Sequence, residues 1–322
     1  MQFMGFFRET DRRRLEFVLC GQLLTCALVA TSAMASEPRL AETEITLLRE
    51  IPYREGASKQ WTLDLAMPKE RGEKPRPAIV VIHGGGWLEG DKSSFSTTTN
   101  RTPGNIIDFA RLGFVAVTIN YRLSGEAPFP AALDDCRCAV RWLRANAEKY
   151  HIDPAGIGAY GNSAGGHLAL LLAMMPPTIG GDGAPYAEQS SRVQAAASDS
   201  GPLDLVAGHE QNRLRGVIEK FMSGPPALVR LPEYRQASPA MYVHEKTPPL
   251  LLIYGEADGQ VNVSDADQFV AALARAGNRE VSYIRLAGVD HCPHSLVRIP
   301  YLQQVVEDFF LRALRRTEDA KP

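Results

Sequence analysis

Six largely apolar runs, at 78–82, 114–119, 157–160, 193–197, 250–254 and 281–286, constrain the fold of this chain more than any other feature. A strand with one wet face alternates apolar and polar residues. These runs offer almost no polar face, so they suit strands buried on both sides. Between them the apolar spacing changes to three and four: Ala132, Leu133, Cys136, Ala139, Val140, Leu143 and Ala147, then Phe269, Val270, Leu273 and Ala276, then Val305, Val306, Phe309 and Phe310. That spacing makes amphipathic helices. Strand and helix in alternation predict an α/β domain with a mainly parallel sheet flanked by helices. Ahead of it, Trp61, Leu63, Leu65 and Met67 alternate with Thr62, Asp64 and Ala66. With the strand-like stretch 45–53 they predict an antiparallel start turning near Gly56. Ligands bind at the carboxyl ends of strands in such sheets, so the residues just past each run are the ones to search.

A chain of 322 residues with 45% apolar content can bury a sizeable core without disulfides. A formal net charge of −2 gives no basis for nucleic acid or anionic lipid as a partner, which leaves a small molecule. At the amino terminus, Arg8 and Arg12-Arg13-Arg14 precede an apolar stretch that ends in Ala33-Met34-Ala35. This reads as an export signal cleaved after Ala35, and with Gly21 and Gln22 inside it the stretch is too short and polar for a stable membrane span. The expected organisation is therefore a signal at 1–35 and one domain at 36–322, in a periplasmic or extracellular protein. A lid-like insertion is expected at 201–247, because 176–192 and 223–249 are rich in Pro, Gly and Ser. Three cysteines remain after cleavage, and Cys136 and Cys138 sit two apart on a helix, facing apart, so they cannot bridge each other.

The run at 157–160 leads into Gly161-Asn162-Ser163-Ala164-Gly165, and a helical pattern follows. This is G-x-S-x-G between strand and helix, the context in which glycines leave room for a sharp turn and thrust the serine clear of the sheet. Without that context the serine would be only a helix cap. A serine nucleophile needs a base. Of the seven histidines, His83 belongs to a glycine loop, His167 to the helix after Ser163, and His151, His209 and His244 to connecting segments. His291, just past the last strand, is the expected base; His294 is its competitor for that role, and no ligand cluster at suitable spacing suggests a metal with Cys292. The acceptor that orients the base is expected at Asp258, past the run at 250–254, with Glu256, Asp265 and Asp290 as competitors. Asp265 is expected to cap the helix that begins there.

"HGGGW" at 83–87 follows the first buried run directly. Three glycines there let backbone N–H groups turn toward a substrate oxygen, so Gly85 and Gly86, with Ala164 beside the nucleophile, are the expected oxyanion hole. Trp87 either walls the substrate site or anchors the loop.

The stretches "VVIHGGGWLEGDK", "YGNSAGGHLA", "PPLLLIYGEADGQV" and "GVDHCPH" resemble the HGGGW-bearing bacterial esterases of the α/β-hydrolase superfamily. Those include acetyl-esterase and feruloyl-esterase-like enzymes and are related to hormone-sensitive-lipase-like carboxylesterases. The resemblance implies an α/β-hydrolase fold and a cofactor-free serine esterase with Ser163 as nucleophile, Asp258 as acid and His291 as base. Tyr254 stands where a histidine often precedes the acid-loop glycine, and Asn262 where a proline often follows the valine. The few mature residues before His83 read as strands, which implies an open site suited to short acyl groups on a soluble alcohol such as a sugar. Amide or formamide hydrolysis and peptide cleavage use the same triad and stay open as alternatives, as does a non-catalytic binding protein on this fold.

Overall fold

A computed structural model describes residues 39–315 apart from 57, 178–184, 212 and 228; the expected export signal at 1–35 lies outside the described residues. In chain order the strands are β1 (Ile45–Pro52), β2 (Thr62–Pro68), β3 (Arg76–Ile82), β4 (Val115–Ile119), β5 (Ile152–Asn162), β6 (Ala195–Asp199), β7 (Leu250–Gly255) and β8 (Val281–Leu286). The helices are α1 (Ile106–Arg111), α2 (Ala131–Ala145), α3 (Ala147–Tyr150), α4 (Ala164–Met174), α5 (Leu205–Glu210), α6 (Arg215–Phe221), α7 (Leu231–Gln236), α8 (Val263–Arg275) and α9 (Pro300–Arg315).

All eight strands form one sheet in the order β1-β2-β4-β3-β5-β6-β7-β8. β1 pairs antiparallel with β2 and β2 with β4, the expected antiparallel start; every pairing from β4 through β8 is parallel. The apolar runs follow from the layers. In β3, Ala78, Val80 and Ile82 enter a core shared with α2 and α4, while Ile79 and Val81 enter the opposite core shared with α1 and α9. Successive side chains of a strand point to opposite faces, so a strand covered on both sides has no place for a polar residue. Each valine or isoleucine among them contributes about 1.5–3 kcal/mol by leaving water.

β8 departs from this reading. Its run was expected to be buried on both faces, yet no residue of Val281–Leu286 is fully buried. It is the last strand of the sheet and neighbours only β7, so its outer edge meets water. The helix α4 shows the opposite extreme: ten of its eleven residues are buried, because it lies against the middle of the sheet. The stretch read as an insertion, 201–247, runs between β6 and β7 and carries α5, α6, α7 and a 3-10 helix at Pro239–Tyr242.

Candidate active site

β5 ends at Asn162 and α4 begins at Ala164, which leaves Ser163 alone to make the turn, at φ 50° and ψ −123°. That conformation costs a non-glycine residue about 1–3 kcal/mol and persists only where the surroundings impose it. They do so here. A Cβ at Gly161 would strike the Gly165 carbonyl, and one at Gly165 would strike the carbonyl oxygen of Ile82, so the elbow packs backbone on backbone. The Ser163 N–H donates to the Asp199 carbonyl at the end of β6 (2.8 Å). Its side chain makes no capping bond to the helix. The hydroxyl instead lies 2.9 Å from His291 Nε2.

His291 Nδ1 is 2.7 Å from Asp258 Oδ2, so with Nδ1–H donated to the carboxylate, Nε2 is left to accept the serine proton. The other carboxylate oxygen, Asp258 Oδ1, accepts from the backbone N–H groups of Gln260 (2.7 Å) and Val261 (2.9 Å). Burial pushes the Asp258 carboxyl upward, but the hydrogen bond and charge of His291 and the two backbone donors outweigh it and hold the pKa below the usual carboxylate value. The competitors are occupied elsewhere. Glu256 pairs with Arg285 (3.0 Å), and Asp290 accepts from the His291 backbone N–H (2.7 Å). Asp265 does not cap α8, since the extended Asn262 takes that place and accepts from Ser264 N–H (3.1 Å). His294 has both ring nitrogens engaged, Nδ1 with the Tyr160 hydroxyl (2.7 Å) and Nε2 with Gln303 Oε1 (3.0 Å), so neither is on the Ser163 hydroxyl.

The glycine loop forms one wall of a cleft of about 740 Å³ that also contains Ser163 and His291. Gly85 (φ +101°) and Gly86 (φ +59°) both adopt backbone that L side chains resist, and a Cβ at Gly85 would collide with the Glu89 carbonyl. Among the described residues nothing accepts a hydrogen bond from the backbone N–H of Gly85, Gly86 or Ala164, so these donors are free for a ligand. The loop is tied at its far end by Asn120, just past β4. Its side chain accepts from Lys92 N–H (2.6 Å) and donates to Asp91 (2.8 Å), which accounts for the "DK" that follows the glycines.

Trp87 is not at the cleft wall. It is 1% exposed, stacked on Phe221 of α6 with ring centroids 4.4 Å apart and edge-on to His167 at 5.0 Å. The substrate-contacting role therefore gives way to the anchoring one, because a flat indole buries most surface between two other rings. Val217, one helical turn before Phe221, reaches Gly86 and lines the cleft. Sequence reading did not find Asn120, Val217 or Phe221. Asn120 had a signal, standing at the carboxyl end of an apolar run; the two α6 residues had none.

Serine, histidine and aspartate linked in that order, at the carboxyl ends of a mostly parallel sheet and in chain order Ser163, Asp258, His291, define an α/β-hydrolase. Comparison with known proteins is more specific. The BD-FAE family model matches residues 63–273, and the chain belongs to that family. It is 30% identical over 267 residues to the esterase LipQ of Mycobacterium tuberculosis, an alignment covering 81% of this chain and 61% of that protein. The chain thus spans about three fifths of the length of that curated relative. Among solved structures it is similar to a truncated carbohydrate esterase from gut microbiota, with a TM-score of 0.72 and 25% identity over 86% of this chain and 99% of that one. It is also similar to a bifunctional GH43-CE protein of Bacteroides eggerthii, with a TM-score of 0.70 and 28% identity, covering 83% of this chain and 38% of that one.

Proposed function

We propose that the protein is an exported serine carboxylesterase that removes short acyl groups, acetyl or feruloyl, from carbohydrate. The observation that carries this reading is the unbroken relay from Ser163 Oγ through His291 (2.9 Å) to Asp258 (2.7 Å), opening on a cleft whose wall offers unpaired N–H groups. In the proposed reaction Ser163 Oγ attacks the ester carbonyl while His291 Nε2 takes its proton, and Asp258 stabilises the imidazolium. Charge on the carbonyl oxygen is met by Gly85, Gly86 and Ala164; each such donor is worth about a hundredfold to a thousandfold in rate. His291 then protonates the departing alkoxide, and water repeats the sequence to free the acid.

The likeness to carbohydrate esterases directs the reading to sugar esters, and the cleft supports it, since 740 Å³ is far more than an acetyl group fills. The single-domain organisation at 36–322, with 201–247 as a lid-like insertion after a cleaved signal, belongs to the same proposal. Two assays test it. A p-nitrophenyl acyl series is expected to show turnover falling with acyl length, and cleavage of N-formyl amides alone would contradict an esterase. Release of acetate without ferulate, or the reverse, from acetylated and feruloylated polysaccharides then assigns the acyl group.

A further inference from the structure

A second carboxylate lies behind the catalytic centre. Asp199, the last residue of β6, is completely buried, and among the described residues no lysine or arginine pairs with it. Burying a carboxylate without a counter-ion is costly unless donors surround it. Its donors all come from the segment that follows His291: His294 N–H (3.2 Å), Ser295 N–H (2.8 Å) and the Ser295 hydroxyl (2.7 Å). The Asp199 backbone carbonyl accepts from the Cys292 thiol (3.3 Å), and the neighbouring Ser200 hydroxyl accepts from Cys292 N–H (3.1 Å). That same Asp199 carbonyl accepts the N–H of Ser163 (2.8 Å).

One residue thus grips the nucleophile's elbow through its main chain and the base's loop through its side chain. The loop has other ties, from Cys292 N–H to Ser200 and from the His294 ring to Tyr160 and Gln303, but Asp199 is the residue that joins it to the N–H of Ser163. Cys292 itself sits at φ 54°, and Leu296 and Val297, two and three residues after His294, are exposed by 59% and 45%. We propose that Asp199 is a positioning residue: its carboxylate sets the position of the His291 loop relative to Ser163, and so the hydrogen bond along which the proton moves. This rests on the esterase reading for its kinetic consequence, but its geometric content stands apart from it. A misplacement of about 1 Å at the reacting atoms typically costs about a hundredfold in rate.

Asp199→Asn keeps one acceptor oxygen and places an amide against N–H and O–H donors, while Ser295→Ala removes a single donor and leaves the carboxylate intact. Both variants are compared with wild type for kcat and KM on p-nitrophenyl acetate, and for the low-field proton resonance of the His291 Nδ1–H shared with Asp258. The expected result is a kcat lower by about a hundredfold in Asp199→Asn and by a smaller factor in Ser295→Ala, with KM unchanged and the resonance shifted or broadened in both. If Asp199→Asn does not fold, Ser295→Ala decides. Wild-type kcat together with an unmoved resonance in a folded variant overturns the proposal. A wild type that turns over no ester refutes the esterase reading instead, and the resonance then decides the positioning claim alone.

Discussion

Acid should weaken this protein through His167 in a way that can be isolated. His167 lies in α4 four residues after Ser163, fully buried, with Nε2 donating to the Ala237 carbonyl (2.7 Å) and its ring edge-on to Trp87. Burial pushes its pKa down to about 4, with the Ala237 hydrogen bond opposing only in part. In the unfolded chain the imidazole takes a proton near pH 6.5. Between the two values the unfolded state holds more protons than the folded one, so stability rises with pH: it is complete above about 6.5 and lost as pH falls toward about 4. At about pH 5 the loss from this one group amounts to about 2 kcal/mol, and by about pH 4 to about 3 kcal/mol. Urea unfolding of wild type and His167→Gln at about pH 7.5 and about pH 5 measures it. Glutamine can still donate to Ala237 but does not titrate, and two further buried histidines, His83 and His294, whose pKa values burial also lowers, contribute equally to both proteins. Wild type should lose about 2 kcal/mol more than the variant over that interval. Parallel losses in the two proteins would refute the reasoning.

Three substitutions probe other parts of the site. Asp258→Asn should leave the fold and KM intact but lower kcat by about ten-thousandfold, because His291 loses the acceptor that fixes its tautomer; steady-state kinetics on p-nitrophenyl acetate measures this. Gly85→Ala forces a side chain into φ +101° against the Glu89 carbonyl, so it should displace the oxyanion donors and lower kcat by about a hundredfold or more, read in the same assay. Phe221→Ala opens a cavity against Trp87 and should destabilise the protein by about 3–5 kcal/mol in urea unfolding, with activity falling as the glycine loop loosens.

The sheet was legible because burial on both faces leaves a mark in the residues themselves: Ile79 and Val81 face one core and Val80 the other, so no polar position interrupts β3. The elbow was legible because backbone contact at Gly161 and Gly165 excludes every side chain, and local constraints of that kind appear as local motifs. Asp258 and His291 lie past strand ends, where the rule for ligand sites in such sheets points, and it is their hydrogen bond to each other and to Ser163 that sets them apart from competitors such as Glu256 and His294. What the sequence did not disclose depends on who neighbours whom across the sheet. In β8 the exposed positions are the polar Ser282 and Arg285, but that the strand closes the sheet follows only from its pairing with β7 alone. The burial of Trp87 depends on Phe221, 134 positions away, and an aromatic beside a glycine loop carries no sign of which way it turns. Asp199 reads as one more polar residue after a strand until the loop of His294 and Ser295 is brought against it.

The central claim is that Ser163 is the nucleophile of an ester hydrolase, and a fluorophosphonate probe tests it most directly. Intact-mass analysis and peptide mapping of the treated protein should find one phosphonyl group, on Ser163, with loss of p-nitrophenyl acetate turnover in step with labelling and neither label nor turnover in Ser163→Ala. Labelling at another residue, or undiminished turnover in Ser163→Ala, would contradict the account.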